Sequence, residues 1–347
     1  MTTAIFFAAI ALGQAQLADA PLTRIAFGSC MSQQLDQPIW DSVNALRPEL
    51  FLFLGDNIYA DISGTGTMKE EYAKLAAKPG YRVLKATTPI LATWDDHDYG
   101  MNDGGAEYEW KQAARTEFCD FFGVSPDSPR RTREGIYDSV VVGPVGRRVQ
   151  VILLDTRWAR SPLKEKEPGD TRPGRYVPDD RPGLTMLGDE QWQWFRAELR
   201  KPAEIRLVCS SVQVVPEDHL WEKWGNFPQE RSRLFREIAD AKAGGVVFLS
   251  GDRHLAEISV ADAGIGYPVF DVTSSGMNLT AKQWRPQETN RYRVASMNYG
   301  DNFGTIMVEW ERADPVVRLQ IRDLDGAVVL QQAVRLSWLQ PGFIRAG

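Results

Sequence analysis

Six apolar runs in this chain stop abruptly at polar, mostly acidic residues: RIAFGSC, LFLFLGDNIYAD, PILATWDDHD, VQVILLDTR, IRLVCSSVQ and VVFLSGDRH. A strand that is apolar almost throughout has to be covered on both faces, which is the condition of a largely parallel sheet inside an α/β fold. Amphipathic stretches at 37–47, 67–85, 104–122, 185–200 and 228–243 separate the runs and would supply the covering helices. From 267 to 334 the pattern changes. GYPVFDVTSS, FGTIMVEW, VVRLQIRD and AVVLQQAV follow one another with little helix between them, so a meander or hairpins are expected, with Asp325-Gly326 as one hairpin turn. Two sheets packed face to face with helices outside are therefore expected. The segment 160–184, rich in Pro, Gly and charge, reads as an excursion at the rim of a site or as a solvated loop.

In α/β folds chemistry gathers at the carboxyl ends of the strands, and here those ends carry Cys30, Asp56, Asn57, Tyr59, Asp95, Asp96, His97, Asp155, Arg157, Asp252 and His254. So many anions on one edge repel one another unless cations hold them, and polyvalent metal ions do this best. Any single Asp at a strand end can instead build a turn or cap a helix, as Asp103 could for a helix beginning near residue 104. That alternative weakens when five clusters occur together.

Several classes of function are excluded or disfavoured. A net charge of −6 without a long basic run argues against a stable nucleic-acid complex. The chain has no G-x-S-x-G, Walker A or G-x-G-x-x-G pattern, which removes the usual warrants for a serine hydrolase, a P-loop enzyme or a Rossmann oxidoreductase. A glycosidase reading of the paired carboxylates leaves Cys30 and Tyr59 without a role. Three histidines cannot build a His-rich binuclear zinc site, and three scattered cysteines make neither a disulfide framework nor a zinc ribbon. Cys119 and Cys209 read as buried apolar residues. A noncatalytic calcium- or phosphate-binding exported protein remains the rival from another class.

At the N-terminus, AIFFAAIALG is too short to span a bilayer and is followed by small residues at Ala15, Ala18 and Ala20. A signal peptide over 1–20 and export to the periplasm or medium are expected, with a buried N-terminal element as the alternative. No later stretch resembles a transmembrane helix. Trp192 and Trp194 are expected to pack a helix on a sheet, whereas Trp221 and Trp224, near Pro and Gly, are candidates for the pocket rim. His219 is expected on a surface or rim loop and not as a ligand.

FGSC, GDNIYAD, WDDHDYGMND, LLDTR, LGDEQWQWF and SGDRHLAE, in this order from about residue 24 to 310, resemble the PhoD-like alkaline phosphatase and phosphodiesterase family, part of the calcineurin-like metallophosphoesterases. The resemblance implies the four-layer αββα sandwich of that fold as a single catalytic domain over 21–347, without the β-rich N-terminal domain that many members carry. It also implies hydrolysis of phosphate monoesters or diesters, including phospholipid or nucleotide diesters, by a metal-activated hydroxide. The phospholipase D-type diesterases of the family are the nearest alternative. Residue by residue, Asp56 matches the metal-bridging aspartate, Tyr59 the phenolate and Cys30 the thiolate ligand of Fe3+, with one or two Ca2+ beside it. Asp96 takes the place of the superfamily's metal-binding Asn, and His97 that of the histidine serving phosphate or leaving group. Asp95 and Asn102, with Asp103, belong to the same oxygen-rich cluster. Asp252 and His254 occupy the superfamily's GHxH positions, with His254 as an iron-side ligand or phosphate contact. Arg157 could grip a phosphate oxygen or form a salt bridge to nearby carboxylates.

Overall fold

A computed structural model describes residues 20–63, 67–283 and 288–343. Apart from Ala20, the expected signal peptide lies outside the described residues. Two sheets face each other. The first runs in the order β15 (Val328–Arg335), β14 (Val316–Asp323), β13 (Asn302–Glu309), β1 (Arg24–Gly28), β2 (Leu50–Leu54), β3 (Ile90–Thr93). The second runs β12 (Arg293–Met297), β10 (Ala256–Ala261), β11 (Val269–Ser274), β9 (Val246–Ser250), β8 (Ile205–Cys209), β5 (Val149–Leu153), β4 (Asp138–Val142). Strands β1, β2 and β3 are parallel, as are β5, β8, β9 and β11. A small hairpin, β6 (Lys164–Glu165) and β7 (Tyr176–Val177), stands apart within the 160–184 excursion.

The unbroken apolar runs are explained by burial on both faces. Ile25, Phe27, Leu50, Leu52 and Leu54 enter the core between the sheets, while the alternate residues Ala26, Phe51 and Phe53 join a second core with Trp40, Tyr81 and Phe118 from the helices. Trp40 meets Phe51 edge-on, with ring centroids 5.5 Å apart. Each buried ring of this kind contributes about 1.5–3 kcal/mol. The outer face of the second sheet is covered by helices Gly188–Leu199 and Pro228–Asp240 through Trp192, Phe195, Leu234 and Phe235. The result is the layered arrangement of helix, sheet, sheet and helix.

Three local expectations change. The stretch 67–85 forms two helices, Met68–Ala77 and Pro79–Thr87, because Lys78 before a proline is extended (ψ 126°) and Pro79 opens the next helix. The stretch 104–122 contracts to Lys111–Phe121, so Asp103 does not cap it. Strands β13, β14 and β15 do form an antiparallel meander with its turn at Asp325-Gly326. However, β11 leaves that series for the other sheet, parallel to β9 and antiparallel to β10. Its six residues are all buried, which suits a central strand and cannot be read from turn signals.

The two sheets meet at the carboxyl ends of their parallel strands, where Ser29 and Ser275 form an isolated parallel bridge. Gly251 makes the approach possible. A Cβ there would lie 2.5 Å from Ser29 Oγ and 3.0 Å from the Ser211 carbonyl oxygen.

Candidate metal centre

The turns after β1, β2 and β9 hold Cys30, Asp56 and Asp252 in left-handed backbone. Among the described residues, seven non-glycine residues take positive φ, and five of them are Cys30, Asp56, Asp103, Asp252 and His254. Strained backbone of this kind persists only where surrounding contacts enforce it. One enforcing group is Asp98. It is fully buried and accepts hydrogen bonds from the amides of Asp56 (3.1 Å) and Asp95 (2.7 Å) and from Asn57 Nδ2 (2.5 Å), locking the turns after β2 and β3 together.

Four groups of potential ligands result, each with its ligand atoms within 4.8 Å of one another: Cys30, Asp56 and His254; Asp56, Asp96 and His97; Asp56, Asp95, Asp96 and Asp252; and Asp96, Asp103 and Glu222. Asp56 is the hub. Its Oδ2 accepts from the Tyr59 hydroxyl at 3.1 Å and lies 3.4 Å from Cys30 Sγ. Its Oδ1, like Asp95 Oδ2, is buried without a hydrogen-bond partner in the described structure. A buried orphan oxygen costs about 1–3 kcal/mol, more when charged, so the donor set fits cations well. His254 Nδ1–H donates to the Leu279 carbonyl at 2.5 Å, which fixes the tautomer with the proton on Nδ1.

The electrostatics agree. Burial, followed by neighbouring carboxylates, raises Asp56 well above the carboxylate range. Burial also raises Asp252 and Asp95, although Arg253 and Arg157 respectively oppose it. Burial pushes Asp96 up too, but Arg157, His97 and the Asp103 amide outweigh it and bring it to about 2. Burial opposes the charge on His97, yet Asp56, Asp96 and Asp61 drive it up to about 11. Cys30 and Tyr59 are pushed well above their ordinary values, first by burial and then by Asp56. A bound cation reverses that balance and favours thiolate and phenolate.

Other expected residues land differently. The Arg157 guanidinium is fully buried, with Nε donating to Asp95 Oδ1 at 2.6 Å and Nη1 and Nη2 to Glu222 at 3.0 and 2.7 Å. It forms salt bridges to both carboxylates. Asp155 accepts from the amides of Ile136, Arg157 and Trp158, each at 2.9 Å, and builds a turn. Asn102 is exposed and donates to Asp103. Asp103 in turn accepts from the Tyr176 hydroxyl at 2.7 Å, which brings the 160–184 excursion to the rim. Trp192 is buried as expected, and so is Trp224, which donates to Ser210 Oγ and is not at the rim because its indole fills the core beside Trp192. Trp221 is 38% exposed. His219 is buried, not on a surface, with Nε2–H donating to Gln213 Oε1 at 2.9 Å.

Sequence reasoning assigned no role to Asp61, Asp98 or Glu222. Asp61 Oδ1 lies 2.6 Å from His97 Nδ1, and the His97 ring packs 4.3 Å from that of Tyr59. Asp61 and Asp98 both stand inside the quoted motifs. Glu222, between Trp221 and Lys223, carries no local signal at all.

Residues 25–280 match the family described as PhoD-like phosphatase. The chain is 23% identical over 282 residues to Alkaline phosphatase D of Bacillus subtilis (strain 168), an alignment covering 68% of this chain and 46% of that protein. It thus spans about half the length of that relative. A solved structure described as PhoD superposes with a TM-score of 0.69 at 18% identity, over 92% of this chain and 69% of that one. Purple acid phosphatase PPD1 from yellow lupin (Lupinus luteus) seeds does so at 0.62 and 12% identity, over 91% and 54%. These superpositions establish the calcineurin-like metallophosphatase fold. Among the described residues no helix is long and apolar enough to cross a membrane.

Proposed function

The chain belongs to the PhoD-like phosphatase family, and we propose that it is a metal-dependent phosphoric ester hydrolase acting on small monoesters, diesters or both. The observation that carries this reading is Asp56, shared by three of the four ligand groups. On one side Cys30, Tyr59 and His254 offer thiolate, phenolate and imidazole, a set suited to Fe3+. On the other, Asp95, Asp96 and Asp252 offer hard oxygens suited to Ca2+. Bound there, these ions supply Lewis acidity toward water and phosphate oxygens.

The chain's own residues supply the rest. Asp61 holds His97 Nδ1, so the ring presents Nε2 for proton transfer to the leaving oxygen. Arg157 clamps Asp95 and Glu222 and so positions these carboxylates. Export would place the enzyme with extracellular or periplasmic esters.

The test is a rate comparison with nitrophenyl phosphate and bis-nitrophenyl phosphate at defined metal content. No metal-dependent hydrolysis of either overturns the reading. Metal identity is tested apart from activity. Protein purified without chelator should contain iron near one equivalent and show a visible tyrosinate band, lost in Tyr59→Phe, with the iron lost in Cys30→Ala. An active, colourless enzyme containing only zinc or magnesium refutes the ferric assignment.

A further inference from the structure

Arg253 stands between two residues of the candidate metal centre and belongs to neither of their groups. Asp252 joins Asp56, Asp95 and Asp96, and His254 joins Cys30 and Asp56. The Arg253 side chain goes elsewhere. Its guanidinium carbon lies 5.2 Å from the Trp221 ring centroid, and Nη2 donates to Glu288 Oε2 at 2.5 Å. The residue is only 6% exposed, and its Nε has no hydrogen-bond partner in the described structure.

Lys223 is buried in the same quarter. Its Nζ donates to the Trp221 carbonyl at 3.1 Å, and it forms no ion pair among the described residues. The other acids facing Lys223 are engaged: Asp218 with Arg291, and Glu217 with Arg231 and Tyr292. His219 adds no anion and is held neutral by burial and by these same cations. Apart from Asp252, which belongs to the ligand group with Asp56, the two buried cations therefore share one carboxylate, Glu288. Such a surplus is costly unless an anion completes it.

The surplus also lies beside the reacting centre. Residues 221–223 place Trp221 over Arg253, Glu222 in the group with Asp96 and Asp103, and Lys223 against the Trp221 carbonyl.

We propose that Arg253 and Lys223, flanked by Trp221, form a seat for a second anionic group of the substrate, and that the Glu288 carboxylate holds this seat until such a substrate displaces it. The inference rests on the phosphoesterase reading and narrows it to esters whose second arm carries a carboxylate or another phosphate. The guanidinium supplies a planar pair of donors, and the partly exposed indole gives a face for the linking group.

Calorimetric binding of non-hydrolysable phosphonates to the metal-loaded chain tests the seat. Wild type should bind 3- or 4-carboxyphenylphosphonate roughly tenfold more tightly than phenylphosphonate, the scale of a charge-assisted hydrogen bond. Arg253→Gln and Lys223→Met should each bring that ratio toward one, whereas Glu288→Gln should raise it several-fold. Benzene-1,4-bisphosphonate binding more tightly than the carboxylate would identify a phosphate as the natural occupant, and the reverse order a carboxylate. Ratios taken within one variant cancel any general loss of metal, which elemental analysis checks separately. No preference in wild type, or a preference that survives Arg253→Gln, overturns the seat. Phosphonate binding does not require turnover, so failed hydrolysis of the nitrophenyl esters would overturn the enzymatic reading and leave this result to judge the seat alone.

Discussion

Asp56 and Asp155 follow five-residue strands that are buried throughout, in the near-identical contexts LFLFLGD and VQVILLD, yet their carboxylates end in different hydrogen bonding. Both oxygens of Asp155 accept backbone amides, Oδ1 from Arg157 and Trp158 and Oδ2 from Ile136. Asp56 sits in left-handed backbone with Oδ1 unpartnered and Oδ2 shared by a phenol and a thiol. The turn after β2 leaves one Asp56 oxygen without a donor, whereas the turn after β5 engages both oxygens of Asp155.

The largest effect should come from Asp56 itself. Asp56→Ala removes the hub of three ligand groups, and turnover should fall to that of the chelated protein, roughly a million-fold or more if the enzyme achieves ordinary acceleration. Elemental analysis should show the metal lost as well. Retention of full metal content would break the comparison.

Next in size is His97→Ala. Turnover should fall by roughly two to four orders of magnitude with metal largely retained, whereas Asp96→Ala should lose metal too. Equal metal loss in both would make His97 a ligand. Asp61→Asn should reproduce a weaker form of the His97 defect, about 10- to 100-fold, as the loss of an orienting partner does.

Asp155→Ala sharpens the contrast from the other side. It strands three buried amides and should destabilise the fold by about 2–4 kcal/mol in denaturant titration, while the folded fraction keeps its metal. Loss of metal without loss of stability would erase the distinction between the two aspartates.

The smallest effect concerns a similar division between histidines. His97 is driven up by carboxylates, whereas burial and the cations Arg253, Lys223 and Arg293 hold His219 well below its ordinary value. For His219 the unfolded chain takes up the proton first as pH falls. Its stabilisation is therefore complete above about pH 6.5 and lost below it, by about 1.4 kcal/mol per pH unit while the folded form stays neutral. His219→Gln should flatten the acid limb of stability against pH by that slope. An unchanged limb would show that His219 is not the group responsible.

The strands whose ends carry the candidate ligands, and the chemical types gathered at that edge, were legible in the amino-acid order, because two-sided burial imposes continuous apolar runs and a sheet edge is where they must stop. Cys30, Asp56, Tyr59, Asp96, His97, Asp252 and His254 could be named from that alone, together with the ordered motifs. Which carboxylates are spoken for emerges on folding. Arg157 is taken by Asp95 and Glu222, Asp155 by amides, and Trp224 by the core, while Glu222 and Asp61 reach the site across 65 and 36 residues of chain from the partners they bind. Ion pairing of this kind depends on partners brought from distant segments, which meet only once the two sheets have closed on each other.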